Sequence, residues 1–73
     1  MGIQQVCFTI NQMSKKTGRK NYSFKEMIDL CREHDASIFE LMTKRLICNR
    51  TGVYYLSEEG RKKAIEYGMA IRL

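Results

Sequence analysis

Leu41-Met42-Thr43-Lys44-Arg45-Leu46-Ile47-Cys48-Asn49-Arg50-Thr51-Gly52-Val53-Tyr54-Tyr55-Leu56-Ser57-Glu58-Glu59-Gly60-Arg61 is the stretch whose reading decides the fold. Its first residues continue a helical apolar period, and then the period changes. Two short apolar runs, Ile47-Cys48 and Val53 to Leu56, lie on either side of Asn49-Arg50-Thr51-Gly52, which predicts a hairpin over 47–56. Tyr54 and Tyr55 alternate across a strand, so one is expected in the core and the other exposed. Ser57 is placed to cap a following helix whose first acids, Glu58 and Glu59, face the positive end of its dipole. Ala64, Ile65, Gly68 and Ile71 continue its inner side, and the helix is expected over 58–70.

Upstream, Ser37, Ile38, Leu41, Met42, Arg45 and Leu46 predict a helix over 36–46, with Ile38, Leu41 and Met42 inward and Asp35 or Ser37 as the cap. Ser23 and Glu26 have capping-box spacing before Phe24, Met27, Ile28, Leu30 and Cys31, which predicts a helix over 24–33. The link between these two helices is short enough for a tight helix-turn-helix pair. Ile3, Val6, Cys7, Ile10 and Met13 predict a first helix over 3–17, stopped at Gly18. The expected class is therefore mainly α with a small β-hairpin, an α+β fold in the order α-α-α-β-β-α, with one domain spanning 1–73.

A chain of 73 residues supports one small core, and 44% hydrophobic with 29% charged residues is a globular composition. No spanning segment and no secretion-signal layout stands in the sequence, so a cytoplasmic protein is expected. Cys7, Cys31 and Cys48 are too few and scattered for a disulfide framework and read as reduced core thiols. Cys31 and His34, three apart, would need Cys7 or Cys48 nearby to form a zinc or redox site, whereas cysteines on apolar helical faces are more often packing residues. No metal and no other cofactor is expected. One histidine, no phosphate loop and no nucleophile-base spacing speak against an enzyme.

The net charge of +5 favours an acidic partner. Lys15, Lys16, Arg19, Lys20 and Lys25 carry the 14–25 segment with no acid, whereas 26–40 sums to −4 with Glu26, Asp29, Glu33, Asp35 and Glu40 against Arg32. Positive charge returns at Lys44, Arg45 and Arg50. Such a run is either a binding edge or a solvated face.

The segment Tyr54 to Arg61 resembles the passage from wing to helix in winged helix-turn-helix regulators of the multiple-antibiotic-resistance and phenolic-acid repressor types, and Leu41 to Ile47 looks like the end of their recognition helix. The resemblance covers about residues 22 to 66; the wing is short, and His34-Asp35-Ala36 replaces the usual glycine between helices two and three. It implies a duplex-DNA-binding transcriptional regulator. Helix three would read the major groove through Ser37, Glu40, Thr43 and Lys44, with Arg45 on a phosphate or an internal acid and Phe39 on a thymine methyl or packed locally. Glu40 would accept from cytosine or pair with Lys44. Tyr22, Ser23 and Lys25, extended by Arg19 and Lys20, would meet phosphate, and Arg50 with Asn49 and Thr51 would form the wing tip.

Two further expectations concern partners. A homodimer would use the helices near 3–17 and 58–70, through Ile3, Val6, Ile10, Ile65, Met69 and Ile71. The alternative to DNA is a winged helix that binds protein, as a viral or plasmid accessory factor would, through acidic helix two and exposed Phe8, Phe39 or Tyr67.

Overall fold

The apolar periods read from the sequence close around one core in a computed structural model that describes residues 2 to 71. Four helices and a small antiparallel sheet follow one another as α1 (Ile3–Thr17), β1 (Tyr22–Ser23), α2 (Phe24–Glu33), α3 (Ile38–Thr43), β2 (Ile47–Arg50), β3 (Val53–Leu56) and α4 (Glu58–Ile71). The class is α+β. The expected order lacked β1, which adds a third strand: the sheet runs β1-β3-β2, with Tyr22 opposite Tyr54 and Ser23 opposite Val53.

The hairpin turn is tighter than the four residues expected. Arg50 pairs with Val53, so only Thr51 and Gly52 turn the chain, at φ of 48° and 84°. Positive φ at both central residues defines the turn whose twist matches that of the flanking strands, and glycine takes the second position without steric cost. Asn49 and Arg50 consequently belong to β2 and not to a loop.

Helix three is shorter than its period suggests, at both ends for the same kind of reason. The α2 terminus is a Schellman motif in which the Ala36 amide donates to the Cys31 carbonyl at 2.7 Å and the Asp35 amide to the Arg32 carbonyl at 3.3 Å. Asp35 takes the left-handed conformation, φ 53°, that a glycine would otherwise supply. The same arrangement ends α3, where the Leu46 amide donates to the Leu41 carbonyl at 2.9 Å, the Arg45 amide to Met42 at 3.0 Å, and Arg45 sits at φ 59°. Leu41 and Leu46, the apolar pair of that motif, are both buried. Ala36, Ser37, Lys44, Arg45 and Leu46 therefore lie outside the helix expected over 36–46. Met42 faces solvent, contrary to its expected inward position, and Ile38 is half-buried.

Val6, Cys7, Ile10, Tyr22, Met27, Leu30, Cys31, Leu41, Leu46, Ile47, Tyr54 and Ala64 make the core. Helix α1 packs chiefly along α4, where Phe8 meets Tyr67 edge-on at 5.4 Å and Gln5 Nε2 donates to the Tyr67 hydroxyl at 3.2 Å. Val6 and Ile10 are thus spent inside the chain and do not form the dimer surface expected of them; Ile65, Met69 and Ile71 are exposed. Phe8 and Tyr67 are half-buried against each other, which corrects their expected exposure.

Ser57 joins α3, the hairpin and α4. Its Oγ donates to the Arg45 carbonyl at 2.5 Å and accepts from the Gly60 amide at 3.0 Å, while its own amide donates to the Leu46 carbonyl at 2.9 Å. Gly60 is buried here, and only glycine fits because a Cβ would collide with the Leu46 carbonyl oxygen. Replacing a capping serine by alanine and losing a second hydrogen bond predicts that Ser57→Ala destabilises the fold by about 2 kcal/mol, with Ser57→Thr close to wild type, as read by urea unfolding.

Candidate nucleic-acid interface

Helix α2 starts where the sheet ends, and that junction sets the candidate interface. Ser23 is both the last residue of β1 and the cap of α2: its Oγ accepts from the Glu26 amide at 3.2 Å, and Glu26 Oε1 accepts from the Ser23 amide at 3.0 Å. Across the sheet Ser23 pairs with Val53, and Val53 with Arg50. With strands ~4.8 Å apart, the start of α2 and the hairpin tip are held about 10 Å from each other by backbone alone. Lys25 in the first turn of α2, Lys44 after α3 and Asn49 and Arg50 in β2 are all exposed.

The residues expected to read bases are also exposed, Glu40 and Thr43 within α3 and Ser37 and Lys44 at its caps. Ser37 Oγ caps the helix by accepting from the Glu40 amide at 3.4 Å, and Thr43 Oγ1 donates to the Phe39 carbonyl at 2.8 Å. Thr51 Oγ1 likewise donates to the Arg50 carbonyl at 2.7 Å. The two threonine hydroxyls thus have their protons committed and keep lone-pair capacity, whereas Ser37 Oγ accepts and keeps its proton to donate. Phe39, left open by its sequence position, stands 68% exposed. Arg45 is exposed on its left-handed backbone and belongs to no ion pair among the described residues.

One expected phosphate contact is corrected, and a second, still exposed, is engaged by a neighbour. Tyr22 is 3% exposed, with its hydroxyl donating to the Arg19 carbonyl at 2.9 Å and 3.3 Å from Ser14 Oγ, so it is a core residue that holds the turn after α1. Arg19, at the surface, is engaged within the chain: both of its terminal nitrogens hold the Glu26 carboxylate, its Nε donates to the Asn21 carbonyl at 3.0 Å, and its guanidinium lies 4.9 Å over the Tyr22 ring. The sequence offered no signal for this pair, which lies seven apart across a turn and a strand.

Among the described residues the ion pairs are Arg19–Glu26, Lys62–Glu59 at 3.7 Å and Lys63–Glu66 at 3.9 Å. Glu40 is not paired with Lys44. Lys15, Lys20, Lys25, Lys44, Arg50 and Arg61 stand in none of these pairs, so the cations near the hairpin and around the start of α2 keep their charge free for a partner.

The sulfur and imidazole groups do not assemble. Among the described residues no group of three or more His, Cys, Asp and Glu is placed to hold a metal ion. His34 Nε2 lies 3.3 Å from Thr9 Oγ1, and the three cysteines are free thiols. Burial, and then the neighbouring Cys31, pushes the Cys7 thiol up to about 11, and burial raises Cys31 as well. Cys48, expected in the core, is half-buried on the sheet opposite Tyr55, itself half-buried while Tyr54 is core.

Among the described residues no helix is long and apolar enough to cross a membrane. Comparison with protein-family models, curated proteins and solved structures finds no match for this chain.

Two outcomes test this geometry. The hydrogen bonds from Arg19, and then from the Ser23 backbone, hold the Glu26 carboxyl near about 2, below its ordinary 4.5. A depressed carboxylate stabilises above its ordinary value and ceases to do so as pH falls toward its folded one. Glu26→Gln should therefore lower the urea midpoint at neutral pH, and the gap to wild type should close as pH falls from 4.5 toward about 2; a gap independent of pH would exclude the charged pair as its source. Separately, a disulfide reagent on the native chain should modify Cys48 alone quickly, with Cys7 and Cys31 following only on unfolding, counted by mass spectrometry.

Proposed function

We propose that this chain is a winged helix-turn-helix protein that binds duplex DNA as a small transcriptional regulator, with α3 in the major groove and the β2-β3 hairpin as the wing. The observation that carries the reading is the set of exposed cations Lys25 in the first turn of α2, Lys44 at the C-cap of α3 and Arg50 at the end of β2, none of them in an ion pair among the described residues. The element order, with β1 paired to β3 beside the hairpin and a tight α2-α3 turn, supports it. At ~1.5 Å per residue, the short α3 reaches along about three base pairs, so discrimination would rest on few side chains: Ser37, Glu40, Thr43 and Lys44. Lys25, Ser23 and Arg45 would position the duplex on phosphate, and Asn49, Arg50 and Thr51 would meet the adjacent groove. The exposed Ile65, Met69 and Ile71 of α4 support a homodimer matched to paired half-sites, in the cytoplasm.

A second reading rests on α3 itself. Phe39 and Met42, 68% and 39% exposed, give the same face an apolar patch, which suits a protein partner. Binding to mixed-sequence duplex DNA across a salt series separates the two. The DNA reading expects log affinity to fall linearly with log salt, by about 0.9 for each phosphate neutralised, and Lys44→Glu with Arg50→Glu to abolish binding. Absence of binding at low salt would favour the protein partner.

A further inference from the structure

Four cations converge on a groove that the reading of α3 does not use. Lys15 comes from α1, Lys20 from the turn after it, Arg50 from the end of β2 and Arg61 from the first turns of α4; together with Tyr55 they line a cleft of about 760 Å³. No carboxylate lines it, and none of the four cations belongs to an ion pair of the described residues. The cleft exists because β1 is so short. Ser23 and Tyr22 cover only Val53 and Tyr54, so the β3 edge at Tyr55 and Leu56 has no strand partner on that side. Gathering four like charges from four segments opposes folding, and nothing within the groove offsets it.

We infer that this groove is a phosphate-binding site, taking either a phosphate ester or the phosphodiester backbone of a nucleic-acid strand. The ammonium groups of Lys15 and Lys20 and the guanidiniums of Arg50 and Arg61 supply charge and donors, and Asn11, Asn21 and Ser14 line the same wall with neutral donors. The Tyr55 side chain, half-buried beside them, offers a ring against which a base can stack. Lys25, Lys44 and the α3 residues do not line the groove, so it is separate from the proposed reading surface and shares only Arg50 with it.

Inorganic pyrophosphate and a short oligothymidylate, titrated at low salt by calorimetry, test the assignment on wild type, on Lys15→Gln/Arg61→Gln and on Lys25→Gln/Lys44→Gln. All four substituted positions are exposed, so thermal melting should show both variants folded. The groove variant should lose about tenfold in pyrophosphate affinity for each cation removed, whereas the Lys25/Lys44 variant, altered on the separate proposed duplex surface, should lose duplex binding and not pyrophosphate binding. Pyrophosphate binding as tight as the oligonucleotide's would assign a free phosphate ester, and tighter oligonucleotide binding would assign a strand. No binding of either probe to wild type, or equal binding by the groove variant, would overturn the site. Duplex binding lost only in the Lys25/Lys44 variant would leave the α3 reading standing whatever the groove does.

Discussion

The arrangement of this small protein depends on Ser57. One hydroxyl donates to the Arg45 carbonyl and accepts from the Gly60 amide, while the same residue's amide takes the Leu46 carbonyl. The end of α3, the entry to β2, the exit from β3 and the first turn of α4 thereby share a few polar atoms. The geometry is possible only because Arg45 is left-handed, which directs its carbonyl toward Ser57, and because Gly60 has no Cβ to strike the Leu46 carbonyl. A left-handed arginine is a strained choice, and it persists where surrounding bonds over-determine it. Here the Schellman bonds on one side and Ser57 on the other do so.

This node also explains which parts of the fold can be read from the sequence. Gly18, Ser23, Glu26 and Ser57 act on amides within a few residues of themselves, and the ends of α1, the start of α2 and the start of α4 follow from spacing alone. The α+β class follows in the same way from the change of period after Leu46. The end of α3 does not, because Lys44 and Arg45 have good helical propensity and only the bonds around Leu46 and Ser57 turn the chain there. Strand β1 is illegible for a different reason: two residues carry no period, and their partners lie beyond two helices. Tyr22 consequently looked like a surface phenol, whereas pairing opposite Tyr54 carries it into the core.

The charged residues divide in a way that composition conceals. Several acids are engaged: Glu26, just after the positive run, holds Arg19, and on α4 Glu59 and Glu66 attend Lys62 and Lys63 within their own helix. Exposed pairs of that kind add little to stability. Their consequence is subtractive: Arg19, Lys62 and Lys63 are partly neutralised by neighbours, while Lys15, Lys16, Lys20, Lys25, Arg32, Lys44, Arg45, Arg50 and Arg61 stand outside the ion pairs among the described residues. A net charge of +5 thus understates how concentrated the available charge is.

Arg50 is where the two proposed surfaces meet. It ends β2 beside a two-residue turn, so its backbone is held by the pairing with Val53 while its side chain is exposed. The same residue lines the groove with Lys15, Lys20 and Arg61. One guanidinium can neutralise one phosphate at a time in a given geometry, and two separate anions, one in the groove and one beside α3, would compete for it. A single polyanion passing over the hairpin tip would instead use it once, between Lys44 and the groove cations. Sharing of Arg50 would therefore couple the two proposed surfaces with a sign set by the ligand: antagonistic for separate small anions, additive for a continuous strand.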